Sequence, residues 1–550
     1  MRTRTTIGLL LGTFMTALAV FAAPLASVPF FTKGEGREAV VVRSMLAGEG
    51  LILPRRDGTI ASKPPLFHWL ATASVHAGVR PVELAIRLPS LVLGAAGVAF
   101  VAVLGARWYG LPAGVLAATV LGSSREWIHA ASQCRVDMTL TAALLATITS
   151  WTAVLEGGGR GLARAGWIAA AFAVLAKGPV GVVLPLLVVT VAAFAGGRGR
   201  RLPDLLDPPG IIVFVAAVVG WYGAATVLGG RTFVARQLLH ENLQRFLGRG
   251  ARAHAGHAHP FYYYGPALAV GFLPWSLALP AVIARLRRSV TPRDRTLLAW
   301  TATVFLFYSL SAGKRIAYLL PLFPPLAILV GAALATRLHR PTPAATRAAL
   351  LVSGTLALAV AAVVVLGYAV PVLVVLDRLS HDRAHDLLPV ATEVITAGET
   401  VLGAGLTGLA ASLVAIAVGR DRVRMAGYVA FAVLLVLATN GLATALGGRE
   451  LSPRAFAERA RTLVGTETPC VLGPGDFALS YYFGRRLPPC RRAAKPSELP
   501  RFVVRPAEAS VPPGWRLALA DPRRLGRTRF ALTERAAAPA ADVAPAAGTP

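Results

Sequence analysis

Apolar residues run through this chain in blocks of about twenty, separated by short polar connections. The first block extends from Ile7 to Phe31, behind the basic start Met1-Arg-Thr-Arg. Others cover about 84–106, 113–130, 137–155, 165–177, 178–195, 211–228, 262–284, 296–310, 317–336, 347–376, 393–418 and 424–446. Each is close to the roughly 20 residues that a helix needs to cross a hydrocarbon layer. The pattern predicts an all-α polytopic membrane protein with about 13 transmembrane helices. Ala22 and Ala23 are small enough for a signal-peptide cleavage site. The apolar run before them exceeds the roughly 7–15 residues of a signal core, so it reads as a retained helix.

Composition strengthens this reading. Of 550 residues, 55% are hydrophobic and only 15% charged, with a mean hydropathy of +0.60; soluble domains carry about 25% charged residues. The net charge of +29 lies in short loops between apolar blocks. There it sets orientation and meets anionic headgroups, so membrane lipids are expected partners and nucleic acid is not. The connections RWYG, EGGGRGLARAG, GGRGRRLPD, ARLRRSVTPRDR, TRLHRPTPAATR and GRDRVR all carry arginine, as cytoplasmic loops do. With the N-terminus in the cytoplasm, an odd number of spans places residues 447–550 outside. A multi-pass protein of the cytoplasmic (inner) membrane with an extracytoplasmic C-terminal domain follows.

Two outer segments break the charge rule. Residues 32–68 form a first external loop that carries Glu35, Arg37, Glu38, Arg43, Arg55, Arg56, Asp57 and Lys63. Residues 231–259 are also basic, and 231–248 have apolar positions at helical spacing, which predicts an amphipathic helix along the membrane surface. Cations that face outward against the orientation bias need another reason, and binding an anion supplies one. In the tail, the short runs PCVLG, FALSYYFG and RFVV predict a small α/β domain over 447–530. The stretch AAAPAADVAPAAGTP is low-complexity, so 531–550 read as a disordered tail. Cys470 and Cys490 either pair across a loop of roughly twenty residues or stay as free thiols.

Candidate chemistry clusters at the outer ends of spans. Asp137 opens a span in SQCRVDMTL. It is either a carboxylate at a helix start, stabilised by the dipole or by Arg135, or a group that orients or deprotonates a substrate. Lys63 precedes Pro64-Pro65, which extend the backbone ahead of a Phe-His-Trp interfacial belt. Lys63, Arg37 and Arg245 could each serve lipid headgroups alone; together they can converge on one phosphate. Lys314, Arg315 and Tyr318 form a further outer group beside Lys177-Gly-Pro. His240, His254, His257 and His259 are dense, but HAGHAH lacks a ligand pattern for zinc. No cofactor is therefore expected, with a divalent metal at His240 and His257 as the minor alternative.

The motifs GEGREA, SKPPLFHWL, RLPS, RVDMTL, AKGPVG, HENLQRF with HPFYYY, and SAGKRIAYLLPLFP occur in this order over roughly residues 1–335. In this the chain resembles the bacterial polyprenyl-phosphate sugar transferases. These are GT-C-type membrane glycosyltransferases similar to the lipid A aminoarabinose transferase and to protein O-mannosyltransferases. The resemblance implies a transmembrane glycosyltransferase domain over 1–446, a helical bundle around an outward-facing cavity. Its donor is a sugar on undecaprenyl phosphate, and its acceptor a lipid, glycan or protein. By the same resemblance Arg37, Lys63 and Arg245 contact the donor phosphate, and Asp137 is catalytic. His240, Lys314, Arg315 and Tyr318 are supporting candidates. Where the family has Asp-Glu-x-Arg, this chain has Gly34-Glu35-Gly36-Arg37. Glu35 takes the missing aspartate's role, Asp137 works alone, or the acceptor arrives ionised. The acidic residue that precedes Lys-Pro-Pro in some members is Ser62 here, which weakens the case for metal. The rival reading is a transporter or flippase of an anionic lipid-linked substrate. It calls for internal repeats and mid-membrane charges, and neither is evident.

Overall fold

In the computed structural model, residues 3–25, 27–237, 259–338, 421–473, 475–490, 498–523 and 529–536 are described. The chain opens with α1 (Thr3–Ala22), α2 (Lys33–Leu46), a two-stranded hairpin of β1 (Arg55–Arg56) and β2 (Thr59–Ile60), and α3 (Leu66–His76). It continues through α4 (Val82–Tyr109), α5 (Leu111–Gly122), α6 (Arg125–Ala131), α7 (Val136–Leu155), α8 (Arg160–Lys177), α9 (Val180–Ala195) and α10 (Pro208–Phe233). Further along the chain come α11 (Tyr264–Gly271), α12 (Leu279–Leu286), α13 (Pro292–Leu310) and α14 (Phe323–Leu338). Among the described residues, 5 helices are long and apolar enough to cross a membrane, or 6 if one bent pair counts as a span. The protein is a multi-pass membrane protein. The expected spans at 347–376 and 393–418 lie outside the described residues.

Several predicted boundaries shift for local reasons. The first helix stops at Ala22, short of Phe31, where Pro24 cannot continue the ladder. The span expected over 113–130 divides at Ser123-Ser124 into α5 and α6. Both hydroxyls fold back on carbonyls one turn earlier, Ser124 Oγ donating to Val120 O at 2.6 Å, while Trp275 Nε1 donates to Ser123 Oγ at 3.0 Å. The span expected over 262–284 is bent by 98°, because Pro274 has no N–H to carry a helix through. The segment 32–68 is more than a loop: most of its first half is α2, whose residues are largely buried against α3 and the C-terminal part.

The bundle is held by close approach and by large aromatics. α4 packs on α1, α5 and α7, and α5 packs in turn on α14. A Cβ at Gly114 would run into the backbone of Ala102; small residues of this kind let helix backbones meet where lipid offers no hydrophobic drive. Trp127, Trp151, Trp275 and Trp300 fill the interior.

The C-terminal part begins with α15 (Asp421–Leu446), followed by α16 (Arg454–Val464), β3 (Cys470–Val471), α17 (Phe477–Phe483), β4 (Phe502–Pro506), β5 (Trp515–Ala520) and β6 (Phe530–Arg535). One sheet runs in the order β3-β4-β6-β5, with β3 parallel to β4 and the other pairs antiparallel. β6 is an inner strand and runs past residue 530, where the sequence suggested that folded structure ends; pairing on both sides extends it to Arg535. Residues 537–550 lie outside the described residues. Cys470 and Cys490 are joined in a disulfide.

This unit grips the start of the chain. Tyr482 Oη accepts from Phe30 N at 2.6 Å, and Ser452 Oγ donates to Phe30 O at 2.8 Å. Arg43 of α2 donates to Ser480 O and pairs with Asp57 at 3.0 Å. α17 lies so close to α2 that a Cβ on Gly36 would collide with the backbone of Ala478. Gly36→Val is expected to pry α17 from α2 and to lower stability by about 1–3 kcal/mol, as overpacking does. Thermal unfolding in detergent, with limited proteolysis of the C-terminal unit, checks this.

Candidate active site

α2 starts where Thr32 caps it, its Oγ1 accepting from Glu35 N at 3.2 Å. This brings Gly34, Glu35, Arg37 and Glu38 into the first turns of one helix. Facing them are the short connection from α6 to α7, which carries Cys134 and Arg135, and the first turn of α7, which carries Asp137. α8 ends nearby in Lys177, and the 3₁₀ turn Ile316–Leu322 adds Tyr318.

Asp137 is the centre of the group. It is 5% exposed. One carboxylate oxygen takes Lys177 Nζ, and the other lies 3.1 Å from Arg135 Nη2. Lys177 Nζ sits 4.3 Å from the centre of the Tyr318 ring, a cation–π contact that fixes the ammonium from its other side. Gly34 stands against Arg135: a Cβ there would lie 3.4 Å from Arg135 Nε, which is buried without a hydrogen-bond partner among the described residues. The position at which the family carries aspartate thus opens onto the cation that Asp137 holds.

Arg37 is joined to its neighbour Glu38, Nε at 2.8 Å and Nη2 at 2.5 Å from Oε1, and His68 Nε2 lies 2.9 Å from the other oxygen. Burial raises the pKa of the Glu38 carboxyl, but Arg37 and then His68 outweigh it and hold the group well below the usual carboxylate range.

Glu35 is turned the other way. It is 1% exposed, with Oε1 2.8 Å from Nε of the fully buried Arg87. Arg87 also donates to Val28 O at 2.5 Å and to Pro29 O at 3.2 Å. Glu35 therefore anchors α2 to α4, and the base role expected of it competes with this pair. Lys63 is half-buried in the turn between β2 and α3. Lys314 is buried and donates to Ser311 O at 2.7 Å. Arg315 N donates to Tyr264 Oη at 3.1 Å. Arg245, His240 and His257 lie outside the described residues. Among the described residues, no three His, Cys, Asp or Glu side chains come together as a metal site. Reading the sequence missed Glu38, His68 and Arg87. Arg87 left a usable signal, since a lone arginine inside an apolar span needs a partner.

The model of the dolichyl-phosphate-mannose-protein mannosyltransferase family matches residues 62–222. The undecaprenyl phosphate-alpha-4-amino-4-deoxy-L-arabinose arabinosyl transferase of Pseudomonas paraeruginosa is 30% identical over 361 residues, 64% of each chain. That of Aeromonas salmonicida is 27% identical over 400 residues, 70% of each. The chain thus spans about two thirds of the length of these relatives. The crystal structure of ArnT from Cupriavidus metallidurans bound to undecaprenyl phosphate superposes with a TM-score of 0.74, covering 97% of this chain and 98% of that one at 19% identity. Over about two thirds of its length the chain is similar to these undecaprenyl phosphate-dependent transferases. Its fold is theirs: a mostly helical membrane bundle with a small sheet-containing unit at the C-terminal end.

The low Glu38 pKa carries a prediction. A depressed carboxyl contributes stability that is complete above the unfolded value of roughly pH 4.3 and is lost as pH falls toward the folded value. The melting temperature of the wild type should therefore exceed that of Glu38→Gln at about pH 5 and above. Below about pH 4 the margin should shrink; a margin that grows on acidification contradicts the assignment.

Proposed function

We propose that this protein is an integral-membrane glycosyltransferase that moves a sugar from a polyprenyl phosphate, of undecaprenyl type, to an acceptor on the outer face of the cytoplasmic membrane. The observation that carries the reading is the pairing of Arg135 and Lys177 with Asp137, with Gly34 of the helix that bears Arg37 set against Arg135. The relatives' printed activities and the ArnT-like fold support it.

In this reading the acceptor oxygen bonds to the anomeric carbon of the sugar. The bond from that carbon to the phosphate oxygen breaks, and its electrons leave on the polyprenyl phosphate. Charge on the phosphate grows as the bond breaks, so fixed cations bind the transition state more tightly than the diester. Arg37, Lys63 and Arg245 are assigned to that phosphate, and Lys314, Arg315 and Tyr318 to the wall of the same cavity. Asp137, with its carboxylate fixed by two cations, orients the acceptor and takes the proton of a hydroxyl acceptor as the new bond forms; an acceptor that arrives ionised has no proton to lose. Glu35 is given the anchoring role described above in preference to that of base. Lipid, glycan and protein acceptors all fit. Residues 1–446, with about thirteen spans and the N-terminus in the cytoplasm, form the transferase unit, and the unit that follows lies outside. The Cys470–Cys490 disulfide supports that side, since disulfides persist in oxidising compartments.

Purified protein supplied with labelled polyprenyl-phosphate sugar and envelope extract should release polyprenyl phosphate. Arg37→Ala and Asp137→Asn should each slow release on the order of 10²–10³-fold, the scale of a lost charge-stabilising donor. Unchanged rates in both variants would overturn the reading.

A further inference from the structure

Arg37 and Glu38 are neighbours on α2, and consecutive helical residues point about 100° apart, so they do not meet by helix geometry alone. Yet the Arg37 guanidinium bends back along the helix to make two contacts with one oxygen of Glu38, at 2.8 and 2.5 Å. What aims that oxygen is the other half of the carboxylate. Its Oε2 is taken by His68 Nε2 at 2.9 Å, and Glu38 is 3% exposed while His68 is fully buried.

His68 is itself held. Its ring meets the buried ring of Phe67 edge-on at 5.5 Å. His68 also follows Lys63-Pro-Pro by a few residues, at the start of α3. The contact therefore ties the segment bearing Lys63 to the helix bearing Arg37. The His68 Nδ1 atom is buried with no hydrogen-bond partner among the described residues. A buried unpaired nitrogen is costly, and a phenyl ring would fill the space without it. Packing alone therefore does not account for the imidazole, whereas its one bonded nitrogen does: Nε2–H fixes the carboxylate that holds Arg37.

We propose that His68 and Glu38 are positioning residues, a buried clamp that sets the Arg37 guanidinium against the donor phosphate and fixes its distance from Lys63. This rests on the glycosyltransferase reading above. The clamp acts through Arg37, so its effect on turnover requires Arg37 to be present.

A double-mutant cycle tests this. The readouts are turnover of polyprenyl-phosphate sugar, with kcat and KM separated, and binding of undecaprenyl phosphate. His68→Phe should lower turnover about tenfold, the equivalent of about 1.4 kcal/mol. In an Arg37→Ala background the same change should cost nothing further. His68→Gln, which keeps an N–H donor, should stay within about threefold of wild type, a rescue that loss of packing does not produce. If His68→Phe does not fold, Glu38→Gln takes its place in the cycle with the same expectation. Losses that multiply in the double variant, or full activity in His68→Phe, overturn the clamp while leaving the transferase reading intact. A wild type that neither binds undecaprenyl phosphate nor turns over any polyprenyl-phosphate sugar overturns both.

Discussion

A carboxylate carried at the head of a membrane-spanning helix has to be neutralised where it sits, and that requirement organises this protein. Asp137 opens α7 in an apolar bundle and is nearly shielded from solvent. In such surroundings a lone charge is costly, and pairing with cations keeps it ionised. Arg135 and Lys177 supply the pairing from two different elements, the α6–α7 connection and the end of α8. Cations drawn in by one carboxylate are then already in place for a second anion. In the site as it stands, neither the carboxylate nor the cations beside it are left uncompensated.

The same logic governs how α2 is mounted. Its charges do not float on a loop. Glu35 is sunk into Arg87 of α4, Glu38 into His68 of α3, and Arg43 reaches Ser480 and Asp57. Each tie joins α2 to a different neighbour, so the helix has little freedom to rotate or tilt. The C-terminal unit closes the arrangement from outside through Tyr482 and Ser452, which bind both sides of the Phe30 peptide. Residues more than four hundred positions apart thus determine where Arg37 stands. Under the proposed transfer reaction this rigidity is an advantage, because preorganised charges need no rearrangement as a bond breaks.

The departure at Gly34 fits this picture. With no side chain there, Arg135 turns to Asp137, and its Nε faces the empty side of the glycine. The carboxylate next along the chain, Glu35, does not move in to replace the missing one, because Arg87 holds it.

Much was legible before any coordinates. Apolar blocks of helix-spanning length identify a polytopic bundle, because a backbone in lipid must satisfy its own hydrogen bonds and few chain lengths do so. Arg37 and Lys63 stood out because, with the N-terminus read as cytoplasmic, they oppose the usual orientation bias, and Asp137 because a carboxylate opens an apolar span. The helical character of 33–46 was also latent in Thr32 and Glu35, which carry the signature of a capped start. What the sequence could not reveal was pairing. That Asp137 takes Lys177 as well as Arg135, that Glu35 belongs to Arg87, and that His68 aims Glu38 at Arg37 all depend on side chains tens of residues apart meeting in space. Composition and period report what each segment prefers locally; which charge ends beside which is decided when the helices pack, because only then does burial force every ion to find its partner.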